Sequence, residues 1–143
     1  MIAIVAADLQ VFKAAVTGPV KYTTQPLVAG LPRLGFTFTG QGAQWYAMGR
    51  GLSERYFVFL QALEDAARHL QSLGASWRLE EELSRDRESS RVDDASLSFG
   101  LTVIIQLSFV RLLSSWEVEA AAITGNSSGE IAAAYAAGAL SFK

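Results

Sequence analysis

The sequence predicts an α/β fold built on a parallel sheet that the chain contains only in part. Two short apolar segments, residues 34–39 and 120–124, each run into a glycine-containing turn, as buried strands do. Helical patterns separate them, and another helical pattern follows the second. Strand, helices, strand and helix in this order are typical of parallel α/β architecture. Because two strands do not complete such a sheet, we expect an incomplete fold.

The composition allows a core and excludes several kinds of function. Half of the 143 residues are hydrophobic and 18% are charged, and the formal net charge is −2. That charge offers no electrostatic footprint for DNA or RNA, so no nucleic-acid partner is expected. The absence of cysteine excludes disulfides, thiolate catalysis and thiolate metal ligands. A single histidine, His69, leaves little material for a metal centre.

The segments differ in their patterns. Turn formers recur through residues 1–33, which predicts a linker or a remnant of a preceding region, with the domain itself at 34–143. A short helix is predicted at 45–56, an amphipathic helix at 59–73 that ends near Gly74, and a helix at 130–137. Ten charges between residues 80 and 94 predict a solvated connection around one helical turn at 79–83.

The most apolar stretch runs from Leu97 to Trp116 and is interrupted by Gln106 and Arg111. Because a membrane span needs about 20 apolar residues, this stretch predicts a buried helix and no membrane association. The apolar start of the chain has no basic segment before it and is cut off by Asp8, so no signal peptide is predicted and the expected location is cytoplasmic. In an incomplete fold we also expect apolar surface to be exposed around Leu101, Ile104 and Ile105.

The strongest local pattern is Gly-x-Ser-x-Gly at residues 125–129, between a strand and a helix. A nucleophilic serine must project from a tight turn at a strand end, and glycines on both sides remove Cβ atoms from crowded space. The following helix directs N–H groups toward the site, where they can stabilise an oxyanion. The alternative is a Gly/Ser turn in which Ser127 or Ser128 caps the helix. Pattern and context alone leave nucleophile and cap about equally favoured.

A second glycine loop, Thr39–Gln44, also follows a predicted strand. In a parallel sheet both strand ends meet at the same carboxyl edge, where ligands bind. Backbone N–H groups of this loop are therefore candidates to complete an oxyanion hole. By itself the loop is better explained as a flexible glycine/glutamine turn.

Taken together, these segments resemble the acyltransferase domain of polyketide synthases. Residues 36–45 followed by Met48-Gly49 are similar to the opening strand and loop of that family, and residues 125–141 to its nucleophile turn and following helix. Matching stretches between them, at 73–75 and 112–116, extend the resemblance over about residues 34–143. It is closest to the large iterative synthases of filamentous fungi, and it covers the N-terminal portion of the domain.

The resemblance implies a two-step acyl transfer. Ser127 would accept an acyl group, usually malonyl, from coenzyme A and pass it to the phosphopantetheine thiol of an acyl carrier protein. Backbone amides of Gln41 and Ser128 would form the oxyanion hole. No metal or tightly bound cofactor is implied, and the partners would be the carrier protein and neighbouring synthase domains. The remaining implied substrate-pocket residues are Gly40, Gly42, Asn126 and Gly129.

The chain also departs from the family pattern. Asn126 stands where the family usually has histidine, and Ser98-Phe99-Gly100 where it commonly has Ser-Gln-Pro; Gly51 replaces a helix former. The family's general-base histidine, its carboxylate-binding arginine and its ferredoxin-like subdomain correspond to sequence beyond Lys143, and His69 does not match that histidine. The expected fold is thus an α/β-hydrolase-like subdomain of the acyltransferase fold without the ferredoxin-like subdomain, and the isolated chain is expected to be inactive.

Two alternatives remain open from the sequence. One is a catalytically silent acyltransferase remnant with a binding role, which the departures at Asn126 and Phe99 favour. The other is a serine esterase or thioesterase of the α/β-hydrolase kind, which shares the serine turn but does not explain the Gly40–Gln44 loop.

Overall fold

The computed structural model describes residues 33–142, so the linker predicted for residues 1–33 lies, except for Arg33, outside the described residues. The described chain forms two strands and five helices around a small parallel sheet. In chain order these are β1 (Gly35–Phe38), α1 (Arg50–Arg55), α2 (Phe57–Ser72), α3 (Leu79–Ser84), α4 (Ala95–Ser115), β2 (Ala122–Gly125) and α5 (Gly129–Ala136). The predicted α/β class is confirmed.

The sheet consists of β1 and β2 paired in parallel, with Phe38 opposite Gly125 at its carboxyl edge. The amide of Asn126 donates to the carbonyl oxygen of Phe38 at 3.0 Å, which carries the pairing one residue beyond the strands. Both glycine loops therefore leave the sheet at the same edge, as the sequence predicted.

The long helix α4 is the centre of the packing, with α2 on one side and α5 on another. It is long and apolar enough to pass for a membrane span by length and composition, with a mean hydropathy of 1.7, yet more than half of it is buried in the protein. A core helix has the same composition, because apolar residues are needed on every face that other elements cover. The predicted buried helix is confirmed.

The expected exposure around Leu101, Ile104 and Ile105 is wrong. These side chains are 2%, 7% and 7% exposed and belong to the main core with Phe59. The turn before α1 packs directly on Ile105, because a Cβ atom at Gly49 would lie 2.6 Å from the Cδ1 of Ile105. The described elements thus bury this face by themselves.

The helix predicted at 45–56 is shorter than expected and begins at Arg50. Ala47 and Gly49 have φ angles of 62° and 82°, in the left-handed region that a right-handed helix cannot contain. The predicted amphipathic helix is confirmed as α2, and Gly74, with φ of 79°, adopts the left-handed conformation common after helix ends.

The charged connection at 80–94 is not fully solvated, because Glu82 of α3 is buried. Its side chain is 2% exposed and accepts hydrogen bonds from Arg85 at 2.9 Å and from Arg91. The hydrogen bond from Arg91 is the main cause that holds the pKa of the Glu82 carboxyl below its ordinary value; burial opposes it and Arg85 reinforces it. The charges that suggested solvent exposure instead close a buried ion pair.

Candidate active site

The Gly125–Gly129 turn has the strained geometry of a nucleophile turn. Ser127 has a φ of 54°, one of three positive values among the described non-glycine residues. Such a conformation costs a residue with a Cβ roughly 1–2 kcal/mol. It projects Ser127 out of the turn at the carboxyl edge of β2, where the side chain is exposed to solvent.

Both glycines of the turn are required by close backbone approach. A Cβ atom at Gly125 would lie 2.5 Å from the carbonyl oxygen of Gly129, and one at Gly129 would lie 2.7 Å from that of Thr39. No side chain fits at such distances to backbone atoms. The sequence expectation that these glycines keep Cβ atoms out of crowded space is confirmed.

The capping alternative finds no support in the geometry. Ser128 occupies the N-cap position of α5, but no side chain makes a cap hydrogen bond there. Its buried hydroxyl has no hydrogen-bond partner among the described residues. A capping serine would accept a hydrogen bond from an amide of the first helical turn.

The amide of Ser128 differs from its neighbours at the start of α5. The amides of Gly129, Glu130 and Ile131 donate to carbonyl oxygens of Asn126, Ser127 and Ser128. Among the described residues no carbonyl accepts from the Ser128 amide, and the same is true of Gln41 in the other loop. The helix start therefore has fewer amides free to bind an oxyanion than the sequence alone suggested. The amide of Ser128, next to Ser127, is one that remains free of a carbonyl partner among the described residues.

The two glycine loops touch each other at Gly40 and Ser127. A Cβ atom at Gly40 would lie 2.9 Å from the Cβ of Ser127 and 3.4 Å from its Oγ. Gly40 itself is buried, while Gln41 and Gly42 are exposed beside it. The structure thus brings together the residues that the sequence assigned to one site.

Helix α4 anchors the loop that contains Gly40 and Gln41. The side-chain amide of Gln41 donates to the hydroxyl of Ser98, and that of Gln106 donates to the carbonyl oxygen of Thr39 at 2.8 Å. Neither Ser98 nor Gln106 was predicted from the sequence to be a site residue. The signal in the sequence was that both are polar residues in a mostly apolar helix, eight positions apart and therefore close to the same helix face.

The two departures near the site differ in environment. Asn126 is exposed next to Ser127, and its carbonyl oxygen accepts from Gly129. Phe99 is 47% exposed in the second turn of α4, next to the buried Ser98. Both side chains therefore lie on the surface.

His69 lies near the C-terminal end of α5, whereas Ser127 precedes the start of that helix. It lines a cavity of about 500 Å³ with Asp65, Arg68, Arg111, Tyr135 and Phe142. Tyr135 is six residues past the start of α5, roughly 9 Å along the helix axis at 1.5 Å per residue. A hydrogen bond from Arg111, 2.7 Å away, lowers the pKa of Asp65 in this cluster. His69 itself is half-buried on α2.

Comparison with known proteins agrees with this geometry. The family model described as an acyl transferase domain matches residues 35–143. The chain belongs to the acyl transferase domain family. In the part of this family member that the structure describes, no group of three or more histidine, aspartate or glutamate residues is placed to hold a metal ion.

The most similar curated proteins include fungal polyketide synthases. The chain is 59% identical over 111 residues to squalestatin tetraketide synthase of a Phoma species, and 56% identical over 109 residues to compactin diketide synthase of Penicillium citrinum. These matches cover 78% and 76% of the chain but 4% of each synthase. The resemblance to fungal synthases is confirmed, and the chain spans a small part of their length.

Solved acyltransferase domains share the fold. The acyltransferase domain of the second module of the salinomycin polyketide synthase superposes with a TM-score of 0.70 at 29% identity, covering 97% of this chain and 33% of that one. The loading acyltransferase of the avermectin modular polyketide synthase gives 0.68 at 31% identity, covering 76% and 34%.

Proposed function

We propose that this domain transfers an acyl group, usually malonyl, from coenzyme A to the phosphopantetheine thiol of an acyl carrier protein in polyketide biosynthesis. Ser127 is the nucleophile, and the main-chain amides of Gln41 and Ser128 form the oxyanion hole. The substrate pocket at this edge includes Gly40, Gly42, Asn126 and Gly129. Coenzyme A thioester is the substrate, and the residues call for no tightly bound cofactor.

The observation that carries the proposal is the left-handed φ of Ser127 beside Gly40. A serine in a strained conformation persists where the surrounding structure enforces it, and such strain concentrates at active sites. Gly40 lies against Ser127, and the amides of Gln41 and Ser128, which follow these two residues directly, lack carbonyl partners among the described residues. Donors of this kind stabilise the charge that develops on a thioester oxygen under attack.

The chemistry has two halves that balance. The Ser127 oxygen attacks the thioester carbonyl carbon, the bond to sulfur breaks, and coenzyme A leaves as its thiol with the proton that Ser127 loses. The carrier-protein thiol then attacks the Ser127 ester, and the serine oxygen regains a proton as the new thioester leaves. Each half needs a base to move that proton, and the single histidine of the chain lies at the far end of α5.

We therefore propose that residues 34–143 form an α/β-hydrolase-like subdomain that works with further parts of a synthase, including a base and a ferredoxin-like subdomain. The neighbouring synthase domains and the carrier protein are its partners, and the cytoplasm is its location. Alone, the 143 residues are expected to transfer little, because a hydroxyl without a base remains protonated.

Free imidazole can replace the absent base in the experiment that tests this proposal. The 143-residue chain is incubated with malonyl-CoA and increasing imidazole, and the Ser127 peptide is followed by mass spectrometry. We expect a malonyl ester on Ser127 that forms faster as imidazole increases and is discharged by an added phosphopantetheinylated carrier protein. Ser127→Ala is expected to remove the adduct, and Ser114→Ala, at an exposed serine of α4, is the matched control.

Other results would support the alternatives. Discharge of the ester to water and not to the carrier protein would indicate an esterase. No adduct at any imidazole concentration would contradict the transferase and favour a silent domain with a binding role, to which the exposed Asn126 would then belong.

A further inference from the structure

Helix α4 carries a row of polar residues on one face: Ser98, Thr102 and Gln106, each four residues from the next. Residues at this spacing lie above one another on a helix. Ser98 and Thr102 are buried, at 0% and 2% exposure, and their neighbours Leu101, Val103 and Ile104 are core residues. We call Ser98, Thr102 and Gln106 the polar row.

Two members of the polar row bind the same short segment of the first glycine loop. Gln106 donates to the carbonyl oxygen of Thr39, and Ser98 accepts from the side chain of Gln41. Only the NH₂ group of Gln106 can donate to a carbonyl oxygen, so this contact also defines the orientation of its amide. The loop is therefore fastened on both sides of Gly40.

The polar row lowers the stability of the fold, because two of its atoms are buried without a partner. The Oε1 of Gln106 and the Oγ1 of Thr102 are buried without a hydrogen-bond partner among the described residues. Unpaired buried polar atoms destabilise a fold, and an apolar side chain of the same size avoids that cost. Stability alone therefore does not explain the polar row. The contacts that Ser98 and Gln106 make with the loop do explain these two residues.

The fastened segment is the one that touches the nucleophile. Gly40 lies against Ser127, and Gln41 follows Gly40 directly. A shift of the loop along α4 would move the Gln41 amide relative to the Ser127 hydroxyl. Displacements of about 1 Å in catalytic geometry lower rates by factors near a hundred.

We infer that Ser98 and Gln106 are positioning residues, which hold Thr39–Gln41 so that the Gln41 amide faces the oxygen of the acyl group on Ser127. This inference rests on the proposed function for its effect on acyl transfer. The anchoring itself is a separate property of the loop and is measured separately.

The test compares Gln106→Leu and Ser98→Ala with Ser108→Ala in the full 143-residue chain. Ser108 is the matched control because it is also fully buried in α4, and its hydroxyl bonds Ile104 within the helix, not the loop. Amide hydrogen exchange is measured by NMR along the chain. We expect exchange of the Gly42 amide, which donates to the side chain of Gln44 in this loop, to rise roughly five- to tenfold in Gln106→Leu and Ser98→Ala, as for the loss of one hydrogen bond, and not in Ser108→Ala.

A merely structural role gives a different pattern. If the polar row served stability, exchange would rise along α4 and β2 as much as in the loop. That uniform rise, or a change of less than about twofold at the Gly42 amide, would overturn the inference. Gln106→Leu sharpens the distinction, because it removes an unpaired buried oxygen and is expected to leave the melting temperature at or above that of the parent chain.

The second readout is the rate of malonyl ester formation on Ser127 with imidazole. Gln106→Leu and Ser98→Ala are expected to lower it by about tenfold or more, whereas Ser108→Ala leaves it unchanged. If the parent chain forms no ester, the proposed function fails, and the exchange measurement still decides the anchoring. If the loop loosens while the ester forms at the parent rate, the positioning role fails.

Discussion

Gly40 and Ser127, 87 positions apart in the chain, lie in direct contact: a Cβ atom at position 40 would be 2.9 Å from the Cβ of Ser127. It would also be 3.0 Å from the carbonyl oxygen of Asn126. Real Cβ atoms tolerate such distances only when a neighbour moves, and here the neighbours include backbone. Glycine at position 40 is therefore a condition for the two loops to meet.

Gly40→Ala is expected to separate the two loops and slow acylation of Ser127. The added methyl group must displace either the Thr39–Gln41 segment or the serine turn by some tenths of an ångström, and the rate should fall by about tenfold or more. The rate of malonyl ester formation with imidazole measures this effect. Gly51→Ala is the control, since a Cβ atom there meets nothing within 4 Å. Alanine at that exposed helical position should stabilise the chain by about 0.5–1 kcal/mol and leave the rate unchanged.

Ser127→Gly is expected to stabilise the chain while it abolishes acylation. Glycine adopts a φ of 54° without the Cβ penalty, so the free energy of unfolding should rise by about 1 kcal/mol. Ser127→Ala is the control: it removes the same hydroxyl but keeps the Cβ atom and the strain. Urea unfolding of the three chains measures the difference. Equal stability of the glycine and alanine variants would show that position 127 is not strained.

The sequence predicted the elements more completely than it predicted the turns that join them. Helices α2 and α4 have periodic or uniformly apolar sequences, so local pattern and tertiary packing favour the same structure. The start of α1 did not follow from composition, because Ala47 and Gly49 both adopt left-handed conformations before it, and Gly49 packs against Ile105, 56 positions away.

The site shows the same division. The Gly125–Gly129 pattern predicted the serine turn, and Gly125 meets a local steric need there, since a Cβ atom would contact the backbone of Gly129. The need at Gly129 is not local, because a Cβ atom there would contact the backbone of Phe38 and Thr39. The anchoring of the Thr39–Gln41 segment to α4 depends on two long-range contacts. Gln41 and Ser98 are 57 positions apart, and Thr39 and Gln106 are 67 positions apart, so no local period in a single sequence encodes them. Glu82 was missed for a related reason, since the arginines that pair with it also make its segment resemble a solvated one.

Glu82→Gln is expected to destabilise the chain and to flatten its stability at acidic pH. The pKa of Glu82 is lowered in the folded state, so its ion pairs contribute above the unfolded value, about 4.3, and are lost as pH falls through the folded pKa. At pH 7 the variant should lose about 1–3 kcal/mol, because Arg85 and Arg91 lose a charged acceptor. Urea unfolding from pH 7 to pH 3 measures both effects.

Glu81→Gln is the control for that measurement. Glu81 is exposed and lies 3.6 Å from the exposed Arg78, so its removal should cost at most about 0.5 kcal/mol. If Glu82→Gln behaved like Glu81→Gln at every pH, the buried pair would have no energetic importance.

Thr102→Val is expected to stabilise the chain, in contrast to Ser108→Ala on the same helix. The Thr102 hydroxyl is buried without a partner among the described residues, so a methyl group in its place removes an unpaired polar atom and should add about 1 kcal/mol. The Ser108 hydroxyl donates to Ile104 at 2.8 Å, and its loss should cost a similar amount. Thermal unfolding of both variants tests the opposite signs. A loss of stability in Thr102→Val would mean that the Thr102 hydroxyl is paired in solution. The polar row would then destabilise the fold less than its unpaired atoms imply, which would weaken the argument that it is present to position the loop.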